Sequence, residues 1–148
     1  MRRAAPSGHM LLLDTHVWVW SVEGDAHRIG RVSRRLLQRA ASRGDLRVSP
    51  VSVFEIAALC TAGRLRLAQS AESWIAQALG APAVRIGELT TGIAVDAGQI
   101  PRAALPDPCD RLLVATASRL EATLLTADET ILAYASRSGR VRVSDARN

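Results

Sequence analysis

A chain of 148 residues, 48% of them hydrophobic, has the length and apolar content of one domain built on one core. Charged residues make up 22% with no long polar or repetitive tract, which argues against wholesale disorder, and the longest apolar runs, 10–13 and 112–117, end well short of a bilayer span. The net charge of +5 is carried by arginine alone. The absence of lysine reads as the codon usage of a GC-rich genome, yet a positive surface still attracts phosphate backbones.

Residues 1–8 are basic but lack the apolar core and cleavage site of a secretory signal, and residues 1–9 read as a frayed or non-native extension outside the fold. Leu11, Leu12 and Leu13, ending in Asp14, form the continuous apolar run of a strand buried on both faces. A tryptophan-rich helix is expected over 15–22, interrupted by Gly24 and Asp25. Ile29, Val32, Leu36, Leu37 and Ala40 recur at helical spacing and predict one amphipathic helix over 28–43, stopped by Gly44. Arg28, Arg31, Arg35 and Arg39 lie towards its other side.

A short strand is expected at 46–48. Ser49 and Pro50 then open a helix reaching 62, proline being favoured in a first turn, and Gly63 stops it. Residues 71–79 read as helix, 83–86 as extended, 91–99 as helix, and 98–108, with three prolines, as a loop. Asp107 as N-cap and Pro108 in first position predict a helix over 108–120. A strand at 123–126, a helix at 128–135 and a terminal strand at 141–143 complete the chain. Strands alternating with helices indicate an α/β class with a mostly parallel sheet.

The two cysteines, Cys60 and Cys109, and the three histidines, His9, His16 and His27, have no disulfide-framework or zinc spacing. Both thiols sit among apolar neighbours and read as small buried groups, which suits a reducing cytoplasm. Of the tryptophans, Trp18 and Trp20 are two apart on one helix and cannot face the same way, so one should reach a surface. Core or interface packing is the first reading for them and Trp74, a stacking platform for bases the second.

Four acids stand where a strand ends or a helix begins: Asp14 after the first strand, Glu55 in the helix after 46–48, Asp110 in the first turn of 108–120, and Asp128 after 123–126. In parallel α/β sheets ligands bind outside the carboxyl ends of the strands, near a switch in strand order, so acids from distant segments can converge there. Each has a plain structural reading. Asp14 and Asp128 fit N-caps, Ser52 to Glu55 fits a capping box, and Asp110 complements a helix dipole. Their coincidence, with Thr15 and Thr126 beside two of them, is what points to a site.

Leu12-Leu13-Asp14-Thr15-His16, Ser52-Val53-Phe54-Glu55-Ile56, Asp107-Pro108-Cys109-Asp110-Arg111-Leu112-Leu113-Val114-Ala115 and Thr126-Ala127-Asp128-Glu129 occur in this order. With them, the segment from about residue 10 to 143 resembles a PIN-domain ribonuclease of the VapC toxin type. Leu105 and Cys109 stand where such toxins often carry a histidine and an aromatic. The resemblance implies a PIN-like three-layer fold, a central mostly parallel sheet flanked by helices, as one domain over 10–148. It implies that Asp14, Glu55, Asp110 and Asp128 are the acidic quartet and that Thr15, Ser52 and Thr126 support it. It also implies endoribonuclease activity on RNA, a cognate antitoxin and a homodimer, with no membrane association.

Four carboxylates in a partly dry cleft repel one another unless a cation neutralises them, and an all-oxygen site suits Mg2+ or Mn2+. Magnesium takes few carboxylates directly. Asp14 and Asp110 are therefore assigned as inner ligands, with Glu55 and Asp128 acting through water or a second ion. Arg111 is expected to pair with a carboxylate or touch phosphate. The basic face of the 28–43 helix is either solvated surface or an RNA-binding rim. A non-catalytic nucleic-acid-binding module and an RNA-processing nuclease outside a toxin pair are the alternatives. A receiver- or phosphatase-type phosphotransfer domain would need a lysine, which this chain lacks.

Overall fold

The computed structural model describes residues 10–148, so the extension expected over residues 1–9 lies outside it. Thirteen short elements follow in order. They are β1 (Leu11–Leu13), α1 (Thr15–Glu23), a 3-10 turn (Ala26–Arg28), α2 (Arg31–Arg43), β2 (Leu46–Val48), α3 (Pro50–Thr61), α4 (Ala71–Leu79), β3 (Val84–Ile86), α5 (Thr91–Gly98), α6 (Pro108–Leu120), β4 (Thr123–Thr126), α7 (Glu129–Ser138) and β5 (Arg142–Asp145). The five strands form one sheet in the order β3-β2-β1-β4-β5. Every pairing is parallel, so the expectation of a mostly parallel sheet becomes a wholly parallel one.

The leucine run of β1 shows why the sheet lies where it does. Side chains alternate across a strand. Leu11 and Leu13 enter a core with Trp18, Val48, Ile56 and Trp74, and Leu12 enters the other with Leu105, Leu113, Leu124 and Ile131. Leu124 and Leu125 of β4 divide in the same way. Each fully buried leucine contributes about 1.5–3 kcal/mol, so helices cover both faces of the sheet. Trp18 and Trp74 are both buried and meet edge to face at 5.2 Å, and the Trp74 indole donates to Glu23 at 2.6 Å. Trp20 is the half-exposed one, as its spacing from Trp18 requires.

Local capping fixes the helix starts. Asp107 accepts from the backbone N–H of Cys109 at 2.8 Å and of Asp110, with Pro108 in the first position as expected. Ser49, not Ser52, caps α3, accepting from Val51 N–H at 3.0 Å. The capping-box reading of Ser52 and Glu55 therefore fails, because Ser52 is already inside the helix.

The helix expected over 28–43 is broken. Gly30 is extended, its N–H donates to the Ala146 carbonyl at 2.8 Å, and α2 begins only at Arg31. A Cβ on Gly30 would lie 2.1 Å from the backbone of Asn148, so a tertiary contact overrides the periodicity. Ile29 is still buried, but from outside the helix. The last strand extends to Asp145 because Ser144 and Asp145 pair with Leu125 and Thr126. Polar residues in an edge ladder give no apolar signal. Cys60 and Cys109 are free and half-buried, less enclosed than expected. No helix among the described residues is long and apolar enough to cross a membrane.

Candidate active site

The chain runs from β1 to β2 on one side of the first strand and later returns to β4 on its other side, so the strand order switches between β1 and β4. Carboxyl ends of neighbouring strands diverge at such a switch, leaving a crevice. Asp14 stands at the end of β1, tied to β4 by its N–H to the Leu125 carbonyl at 3.0 Å, and Asp128 follows β4. Glu55 reaches the crevice from the second turn of α3 and Asp110 from the first turn of α6. All four line one pocket of about 330 Å3. A larger cavity, about 560 Å3, opens over α6 between α5 and α7, but its one carboxylate, Asp96, is already paired with Arg119. Convergent acids, not volume, mark the site.

The polar residues around the acids aim them. Asp14 is buried; one oxygen accepts from Thr15 N–H at 2.7 Å and the other from the Thr126 hydroxyl at 2.6 Å. Thr126 in turn accepts the Asp128 N–H at 3.0 Å, which links the ends of β1 and β4. The Thr15 hydroxyl lies 2.8 Å from both Ser52 Oγ and Glu55 Oε1. With one proton to give, it donates to the carboxylate, the stronger acceptor, and receives the Ser52 proton. Asp128 caps α7 by accepting from Ile131 N–H at 2.9 Å. The caps read in the sequence at Asp14 and Asp128 thus exist, and each leaves lone pairs for the crevice.

The acids strain one another electrostatically. Burial pushes the Asp110 carboxyl up to about 8, and Asp107, Asp128, Asp14 and Glu55 add to it by repulsion. Burial also raises Asp14, opposed by the Thr126 hydroxyl, and raises Glu55, opposed by Thr15. Cys109, beside the ring, is pushed up to about 11 by burial and by Glu55, so its thiol stays protonated and inert.

Asp107, His16 and Trp20 also line the pocket, and sequence reasoning did not place them there. Asp107 was absorbed by its capping role. His16 and Trp20 gave a usable signal, being four apart on the helix that starts beside Asp14. Arg111 forms no ion pair among the described residues, and its Nε is buried without an acceptor, so the expected pairing with a carboxylate is not formed.

No three His, Cys, Asp or Glu side chains among the described residues stand close enough to cage an ion directly. The donor set nevertheless fits a hard cation that keeps most of its water and takes one or two carboxylates directly. The raised Asp110 marks negative charge that such an ion would compensate.

The PIN domain family matches residues 11–136. Ribonuclease VapC22 of Mycobacterium tuberculosis (strain ATCC 25618 / H37Rv) is 34% identical over 125 residues, 84% of this chain and 91% of that protein. The fold is shared with DNA-bound VapBC from Salmonella typhimurium at a TM-score of 0.63 and 20% identity, covering 92% of this chain and 97% of that one. It is shared as well with VapBC2 from Rickettsia felis bound to a promoter DNA fragment, at 0.63 and 15%, over 91% and 97% of the two chains. FitAB bound to a DNA fragment is similar at 0.60 and 19%, over 94% and 96%. On the family match over residues 11–136 and the 34% identity to a VapC ribonuclease, the chain belongs to the PIN-domain family and, within it, to the VapC ribonucleases.

Proposed function

We propose that the carboxylate ring is the catalytic centre of a toxin-type endoribonuclease and that it works with Mg2+ or Mn2+. The observation that carries this reading is the convergence of Asp14, Glu55, Asp110 and Asp128 on the switch-point crevice, where burial first and the other acids second raise Asp110. Asp14 and Asp110 would hold the ion directly, with Glu55 and Asp128 acting through water or a second ion. Bound there, the ion supplies positive charge to the scissile phosphate and lowers the pKa of water.

The chain's own groups do the rest. Thr126 and Thr15 hold Asp14 and Glu55 in fixed orientations, which limits reorganisation as the phosphodiester is attacked. Glu55 has an oxygen not used by Thr15, and Asp128 one not used by the Ile131 N–H. Either can orient the attacking water and accept its proton.

Purified protein should cut RNA, lose that activity in EDTA, and regain it with Mg2+ or Mn2+. Asp110→Asn should be inactive while keeping the circular dichroism of the parent. Cleavage that survives chelation, or an Asp110→Asn enzyme as fast as wild type, would overturn the assignment. Calorimetric titration of Mn2+ into the protein gives a second readout independent of turnover.

A cognate antitoxin follows from the same reading. An apolar groove of about 370 Å3 runs beside α1 and α2, with Trp18, Trp20, Ile29, Leu37 and Val84 on its walls. An apolar segment of the antitoxin would fill it, and Trp20 also borders the acid pocket, so the groove leads to the ring. Co-expression with the adjacent open reading frame should yield a complex that no longer cuts RNA. A second copy of this chain would cover Phe54, 65% exposed one residue before Glu55; sedimentation at increasing concentration tests that dimer.

A further inference from the structure

A pocket lined by five carboxylates repels the polyanion it is meant to cut. Among the side chains lining it, His16 is the only one able to carry positive charge. His16 and Trp20 stand four apart on α1, on one side of the helix, and both line the pocket. Their rings meet edge to face with centroids 6.2 Å apart. Arg28, just beyond α1, lies over the Trp20 ring at 5.6 Å. His16 and Arg28 are exposed and Trp20 is half-exposed, while Trp18 and Trp74 are committed to the core. A row of imidazole, indole and guanidinium thus leads out of the ring of acids.

We propose that His16, Trp20 and Arg28 form the subsite for a nucleotide flanking the scissile bond, with its base stacked on Trp20 and its phosphate held by Arg28. The proposal rests on reading the ring as an RNA-cleaving centre.

Magnitudes decide how the subsite works. An exposed cation–π contact is worth about 0.5–1 kcal/mol. A base stacked on an aromatic side chain in single-stranded recognition is worth about 1–3 kcal/mol. An unpaired base therefore displaces the guanidinium from the indole. The released guanidinium turns to the backbone, where a fork of donors matches a phosphate. Every base has a flat face, so the subsite selects single-stranded RNA over duplex without choosing a base. The acids attract the cation, and this row receives the strand that the acids repel.

The test uses Asp110→Asn protein, so that RNA is bound and not cut, and measures fluorescence anisotropy with two probes. One is a short oligoadenylate; the other is the same length of abasic ribose-phosphate strand. Trp20→Ala in that background should weaken oligoadenylate binding about tenfold or more and change abasic-strand binding less than about twofold. Trp20→Phe, which keeps a stacking face and guards against misfolding, should stay within about threefold of the parent. Arg28→Ala should make the plot of log affinity against log salt shallower by about one.

Equal losses on both probes with Trp20→Ala, or an unchanged salt slope with Arg28→Ala, would overturn the subsite while leaving the catalytic reading in place. Failure of the parent protein to bind either probe would overturn the subsite, and wild type that also leaves RNA uncut would overturn the catalytic reading with it.

Discussion

Asp110 is where the cost of burying a carboxyl, and of setting it among four others, concentrates. Its folded carboxyl titrates near 8, against an ordinary value near 3.8. In acid both folded and unfolded chains hold the proton and the ring costs nothing. Between about pH 4 and 8 the unfolded chain has released it and the folded chain resists, so the metal-free fold loses stability as pH rises through that window. Since the group is about half open to solvent, screening leaves about 1–2 kcal/mol of this effect. Asp110→Asn should therefore raise the metal-free melting temperature at pH 8 by roughly 3–6 °C and flatten its pH dependence, even as activity vanishes. Thr126 belongs to the same scale. It is buried and donates to Asp14, so Thr126→Val keeps the shape but frees one carboxylate oxygen. Activity should fall about 10–100-fold with metal affinity reduced, while the fold persists.

At the scale of elements, much was legible. Pro108 with Asp107, the leucines of β1, and the acids at element ends were all written locally, and α4, α6 and β4 lie where the sequence places them. What was not legible depends on contacts across the chain. The break before α2 is set by Gly30 meeting Asn148; the glycine is a local hint, but the contact that makes it decisive lies at the far end of the chain. Gly30→Ala should drive a methyl into that backbone and cost about 1–3 kcal/mol, read as a drop in melting temperature with the active site unchanged. Glu55 looked like half of a capping box because its true partner, Thr15, is 40 residues away. The basic residues expected along one helix over 28–43 divide too, since Arg28 stands outside α2. Arg39 and Arg43 share a pocket with Met10, Leu11 and Thr123, at the amino-terminal edge of the sheet and the end away from the acids. The solvated-surface reading fits them, so Arg39→Glu should leave the salt slope of RNA binding essentially unaltered, in contrast to Arg28.

The whole molecule stores its charge conflict in one place and its apolar surface in another. The ring lies at the carboxyl edge of the sheet, and the groove beside α1 and α2 meets it only at Trp20. A divalent ion that binds the folded ring and not the unfolded chain must stabilise the entire fold by mass action, so saturating Mn2+ at pH 8 should raise the melting temperature of wild type but not of Asp14→Asn.

The position of β1 in mid-sheet bears on the making of the protein. β1 needs β2 on one flank and β4 on the other, and β4 begins only at Thr123. During synthesis the chain emerges amino end first, and parallel strands cannot zip up locally as a hairpin does. Asp14 emerges early and waits for Thr126 before it is held. A chain halted before β4 lacks both Asp128 and the Thr126 hydroxyl that aims Asp14, so the ring of acids cannot be assembled until that strand has joined the sheet.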